Sequence, residues 1–287
     1  MVAYYEDGRG RYGTGESYDY FYKYEEENAE IITSLDGMWT YTPLNMGVEV
    51  LRYNGSEIDI VVPHSIDGNE VISLDSTFDG FYELKRAVIP KGVQSIVGAF
   101  YGCERLESIE LPEGVVDMTY AFNCCYSLKH IDIPSSAQNF SWAFEGTSIE
   151  TCIFPEGTKN ISHAFIASHS LKEVYIPASV VDIYESFSDC DVLAQVTIAE
   201  GVTSIDDYAF YHCSSLSTLT IPKSVTKFGK KAVGIMEIRE YTNPEKTSYQ
   251  VKGNMIVPEF KIKGMIGSAT ETYAKDNGIE FIPFYHI

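Results

Sequence analysis

The residues best able to do covalent or metal chemistry are six cysteines and six histidines in a chain of 287 residues. The cysteines are Cys103, Cys124, Cys125, Cys152, Cys190 and Cys213. An even count suits disulfides, and a thiol beside an imidazole suits nucleophilic catalysis. The histidines are scattered at His64, His130, His163, His169, His212 and His286. No CxxC and no close histidine pair gives a zinc spacing, so no metal and no cofactor is expected. Phosphate-loop and dinucleotide glycine patterns are absent. His130, Asp132 and Cys152 are the set to test as base and nucleophile, and the test is which way each side chain points.

What positions these residues is a repeat. A phenylalanine recurs at Phe78, Phe100, Phe122, Phe144, Phe165, Phe187 and Phe210, in steps of 22, 22, 22, 21, 22 and 23 residues. An aliphatic row follows at Leu84, Leu106, Leu128, Ile149, Leu171, Leu193 and Leu216. Proline ends most units, at Pro90, Pro112, Pro134, Pro155, Pro177 and Pro222, with Ala199 replacing it once. A constant period of this length marks a solenoid, in which no unit can close a core alone and stacking does it.

Each unit carries two short strand patterns. One runs into the proline, as in Leu106-Glu107-Ser108-Ile109-Glu110-Leu111, where apolar residues alternate with period two. The proline stops it, having no N–H for the ladder. The other follows, as in Val115-Val116-Asp117-Met118. By this alternation Cys152 points inward while His130 and Asp132 point out, so the nucleophile reading fails on geometry. Cys103, Cys125, Cys190 and Cys213 share one slot, three residues after the phenylalanine, which Thr147 and Ser168 fill in other copies. That register favours buried free thiols. The pairs Cys103–Cys125 and Cys190–Cys213 would lie about 5 Å apart between coils, within reach of a bridge.

The outward residues of the first strand form the candidate binding face. His130, Asp132, Ile153, Glu173 and Tyr175 are its richest cluster, with an aromatic, an aliphatic and charged groups close together, a composition that suits a protein interface. The alternative is a solvated strand surface with no ligand.

The net charge of −20 argues against nucleic acid and anionic membranes as partners. Apolar runs are too short to span a bilayer. Residues 1–44 read as a Tyr- and Glu-rich leader, partly ordered or flexible, and no secretion signal is legible in residues 1–30. Residues 45–70 read as an N-terminal cap hairpin turning at Asn54-Gly55. The repeats occupy 71–228. Residues 229–287 read as a C-terminal cap with a short helix at 268–276, opened by Ser268 with Glu271 three residues on.

The unit AF-x-x-C-x-x-L-x-x-[IVL]-x-[IL]-P-x-x-V resembles the BspA-type leucine-rich repeat. It is carried here by Ala99-Phe100-Tyr101-Gly102-Cys103 through Leu111-Pro112, and by Ala209-Phe210-Tyr211-His212-Cys213 through Ile221-Pro222-Lys223-Ser224-Val225. The likeness covers about 45–287 and departs at Thr147 and Ala199. It implies a curved, right-handed, mostly β leucine-rich repeat solenoid of about seven 22-residue repeats with caps. It also implies a non-enzymatic, secreted or surface-exposed bacterial protein, adhesin-like, whose partner is a protein or glycan, including those of a host. The alternative function is a structural spacer or scaffold domain.

Overall fold

The computed structural model describes the backbone of Tyr4–Asp7 and Arg11–Thr14, then residues 30–242 and 249–284. The aromatic side chains of the first 29 residues, and His286, lie outside the described residues. The chain is a leucine-rich repeat solenoid, mostly β, with a single helix among the described residues.

The phenylalanine corner ties the coils together. Gly98, Phe100 and Gly102 donate their N–H groups to the carbonyls of Thr119, Ala121 and Asn123 in the next coil at 2.8, 3.0 and 2.8 Å. Between them, Ala99, Tyr101 and Cys103 donate backward within their own coil to Ile96, Gly98 and Phe100. This alternation requires left-handed backbone two residues before and two residues after the phenylalanine. Gly98 and Gly102 have φ of 59° and 69°, and Tyr120 and Cys124 hold the same positions at 55° and 61°. A side chain there is strained by roughly a kcal/mol or more, which the ladder offsets. The rings stack in one column, at 5.3, 5.5, 6.0, 4.9, 6.2 and 5.1 Å from Phe78 to Phe210. Small residues beside them, Ala99, Ala121, Ala143, Ala164 and Ala209, are wholly buried and let the coils close.

The wall that runs into the proline is a parallel sheet in pieces. Asp59–Val61, Arg86–Val88 and Ser108–Glu110 form one piece, and Thr151–Ile153, Glu173–Ile176 and Gln195–Ile198 a second. Thr218–Thr220 begins a third with Lys261–Met265 and Glu280–Phe284. The third coil forms no strand here: residues 129–134 stand outside every ladder. Ile131 and Ile133 are only half-buried, whereas Ala87, Cys152, Val174 and Leu219 in the row of Ile131 are buried. The breaks adjoin the steps of 21 and 23 residues. On the opposite wall single parallel bridges run unbroken through Ser73, Ser95, Asp117, Asn139, Asn160 and Asp182.

The N-terminal end is closed by a five-stranded sheet in the order Ile32–Thr33, Trp39–Leu44, Gly47–Tyr53, Asn69–Ser73, Ser65–Ile66. Asn54-Gly55 is not a hairpin turn. Trp39–Leu44 and Gly47–Tyr53 make the long hairpin, while Asp59–Val61 joins Arg86–Val88 in parallel and starts the wall ahead of the first coil. The tight hairpin turn is Asp67-Gly68, with φ of 50° and 85°, the two left-handed residues that such a turn demands. Trp39 meets Phe78 edge-on at 6.4 Å and so covers the ring column.

At the other end Ile235–Tyr241 and Tyr249–Ile256 form an antiparallel hairpin. Arg239 pins it to Asp189 at 2.7 Å. The helix Ala269–Asn277 is capped by the Ser268 hydroxyl, which accepts from the Glu271 N–H, and by left-handed Gly278. Its Tyr273 stacks on Phe228 at 4.5 Å, and its hydroxyl donates to the Val233 carbonyl at 3.1 Å.

Candidate binding face

On the proline-side wall the alternation is as the sequence sets it. Cys152 is 3% exposed, and Ile153 beside it is 68% exposed. Burial pushes the Cys152 thiol well up, away from the thiolate form. His130 and Asp132 stand on the outside, paired with each other at 3.1 Å and almost fully exposed. Imidazole and thiol therefore lie on opposite sides of the wall.

The five face residues fall into two groups. Ile153 and Tyr175 are ladder partners, and Glu173 sits opposite Thr151 in the same sheet. The Tyr175 hydroxyl donates to Glu156 at 3.1 Å, which fixes the half-buried ring and, together with burial, raises its pKa. Thr197 follows Tyr175 in register. His130 and Asp132 belong to the third coil, which the ladder leaves out, so no strand pairing holds them to Ile153. Ion pairs run along the coil edges nearby, Lys172 to Glu150 at 2.7 Å and Arg86 to Glu110.

Two features escaped the sequence reading. The first is the hydrogen bond made from the cysteine slot. Each thiol lies within hydrogen-bonding distance of the phenylalanine carbonyl of the preceding coil: Cys103 to Phe78 at 3.2 Å, Cys125 to Phe100 at 3.1 Å, Cys190 to Phe165 at 3.0 Å and Cys213 to Phe187 at 3.1 Å. Ser168 donates to Phe144 at 3.0 Å from the same slot. The slot selects a small donor, and among the described residues no cysteine is in a disulfide. The second is a column at the left-handed position before the phenylalanine. Tyr120 stacks on Trp142 at 5.8 Å and Trp142 on His163 at 4.0 Å. The signal was the row two residues before each phenylalanine, which holds Tyr120, Trp142, His163 and Tyr208.

Ser162, His163 and Glu185 line up like a hydrolase triad. The Ser162 hydroxyl is 2.9 Å from His163 Nδ1, and His163 Nε2 is 3.6 Å from Glu185. The hydroxyl also donates to the Tyr184 carbonyl at 3.3 Å, and Ser162 is 9% exposed. Trp142 covers one imidazole face, and burial lowers the His163 pKa to about 4. The group fills a coil corner, with a serine too covered to meet a substrate. Among the described residues no group of three or more His, Cys, Asp or Glu is set to hold a metal ion. No described helix is long and apolar enough to cross a membrane.

The sequence model of the BspA type leucine rich repeat region matches six copies, over residues 74–190 and 183–252. Among solved structures, a leucine-rich repeat protein from Bacteroides ovatus is 22% identical, with a TM-score of 0.64, over 90% of this chain and 67% of that one. A T. pallidum leucine-rich repeat protein is 31% identical, with a TM-score of 0.49, over 67% of this chain and 83% of that one. No curated protein matches. A repeat that recurs in register across more than half of the chain, and a fold shared with a solved leucine-rich repeat protein, lead to one conclusion: this chain belongs to the BspA type leucine-rich repeat family.

Proposed function

We propose that the chain is a non-enzymatic binding module, displayed on a bacterial surface or secreted, that holds a protein partner on the outer face of its proline-side wall. Ile153 and Tyr175 are the anchors, Glu173 a flanking charge, and His130 and Asp132 the rim. One observation carries this reading: Ile153, 68% exposed, stands on a paired strand beside an aromatic ring fixed by its own hydrogen bond. A rigid aliphatic and aromatic pair ringed by charges has the composition of an interface centre, where few residues supply most of the binding free energy.

The test is a binding screen of the purified chain against extracellular-matrix proteins and a glycan array at two salt concentrations. A saturable protein hit that survives added salt and is lost in Ile153→Asp supports the reading. A glycan hit moves the partner class. Silence on both panels favours a spacer, to which the break in the wall at the third coil also lends weight.

A further inference from the structure

A cleft lies at the N-terminal end, on the first coils rather than among the strands that carry Ile153. It has a volume of about 120 Å³ and is lined by Arg52, Tyr53, Gly55, Phe78, Asp79 and Phe81 among others. Arg52 comes from the end of the strand Gly47–Tyr53, and Asp79 from the first phenylalanine corner. Both charges line the same cleft, yet neither side chain has an ion pair or hydrogen bond to a described residue. They contrast with Arg86, Arg105, Lys172 and Arg239, which are all paired. Asp79 is partly desolvated, and that burial alone raises its pKa.

The same cleft is also lined by aromatic rings that pack on one another. Tyr53 lies 6.0 Å from Phe78 and 6.1 Å from Phe81, with Trp39 at 4.8 Å. Its hydroxyl donates to the Glu57 carboxylate. A Cβ at Gly55 would fall 2.4 Å from the Tyr53 ring, so only glycine leaves this corner open.

We propose that the cleft binds a small zwitterion, its anionic end on the Arg52 guanidinium and its ammonium on the Asp79 carboxylate, over the Tyr53 and Phe81 rings. A guanidinium takes a carboxylate through paired N–H donors. An ammonium gains from both a carboxylate and a ring face. A ligand with one charge leaves the opposite protein charge unmatched. A cleft of this volume suits a ligand the size of a small free amino acid.

The experiment is an amide NMR titration of the full chain with L-alanine, and with ethylamine and propionate, which each lack one of its charges. Saturable shifts at Gly55 and Phe78–Phe81 with L-alanine are expected. Ethylamine and propionate bind about tenfold more weakly or worse, a difference of roughly 1.4 kcal/mol. Arg52→Gln and Asp79→Asn each weaken L-alanine about tenfold, while the remaining amide shifts report an unchanged fold. Ile153→Asp leaves L-alanine binding as it was, which separates this site from the sheet face. The proposal is overturned by an absence of saturable shifts with L-alanine, by propionate or ethylamine matching it, or by either variant binding as the parent does.

Discussion

Ile153 separates recognition from stability within one side chain. Its neighbour Cys152 carries the packing, so Ile153→Asp should change folding free energy by no more than about 0.5 kcal/mol while abolishing partner binding. Urea denaturation alongside the binding assay checks both halves, and a large loss of stability would place Ile153 in the core. The cysteine slot makes the converse case. Cys125→Ser keeps a small donor to Phe100, as Ser168 does for Phe144. Cys125→Ala loses it, at a cost on the order of 1 kcal/mol. Cys125→Ser should therefore be at least as stable as Cys125→Ala in urea, and the reverse order would mean that the thiol serves only to fill space. The outward rows were legible because strand alternation has period two and the proline fixes its phase. The donor role was not: Cys, Ser and Thr share smallness in a sequence, and the carbonyl that the cysteines and Ser168 reach belongs to a residue 24 to 26 positions earlier, while Thr147 donates to Phe144 of its own coil.

At the scale of the element, the third coil is the soft point of the proline-side wall. No neighbouring strand accepts from the N–H groups of 129–133, whereas the Phe122 N–H donates to Ala143 at 2.9 Å within a buried corner. Hydrogen exchange should show the amides of His130, Ile131 and Asp132 exchanging well before those of Phe100 and Phe122, since local opening costs less where ladder bonds are missing. Equal protection would mean that the wall is continuous in solution. The solenoid was legible from the 22-residue period. The gap was not, because Lys129-His130-Ile131-Asp132-Ile133 has as good an alternation as its neighbours. The turn at the N-terminal end shows a similar limit. Asn54-Gly55 and Asp67-Gly68 are equivalent signals locally, and only the second is flanked by strands that can pair antiparallel. Ser268 was readable because a helix cap is local: its hydroxyl serves an N–H three residues on, and Ser268→Ala should cost about 1 kcal/mol, measured by thermal melting.

Across the whole molecule, stability is a sum of coils and of the interfaces between them, so a ring in mid-column counts twice. Phe122 stacks on Phe100 and Phe144, and Phe122→Ala should cost about 3–5 kcal/mol. Two groups near the same coils, with large shifts of opposite sign, contribute to the dependence on pH. Burial raises the pKa of Glu145 to about 7, so the folded chain holds its proton more tightly than the unfolded chain. That contribution is fully present below pH 4.5 and is lost as pH rises through about 7. His163 is lowered from 6.5 to about 4, so its contribution is present above pH 6.5 and is lost as pH falls through about 4. For His163, with only 17% of its side chain exposed, the loss amounts to roughly 3 kcal/mol. Between pH 4.5 and 6.5 the two slopes oppose each other and flatten the curve. Replacing either group should uncover the other. Relative to the parent, Glu145→Gln should tilt the melting temperature upward with pH between 4.5 and about 7, and His163→Gln should tilt it downward with pH between about 4 and 6.5. Because each variant is read by its slope against the parent, lost packing or stacking at a replaced side chain shifts the curve without tilting it. Parallel curves for parent and variants would show that neither group titrates out of register with the unfolded chain.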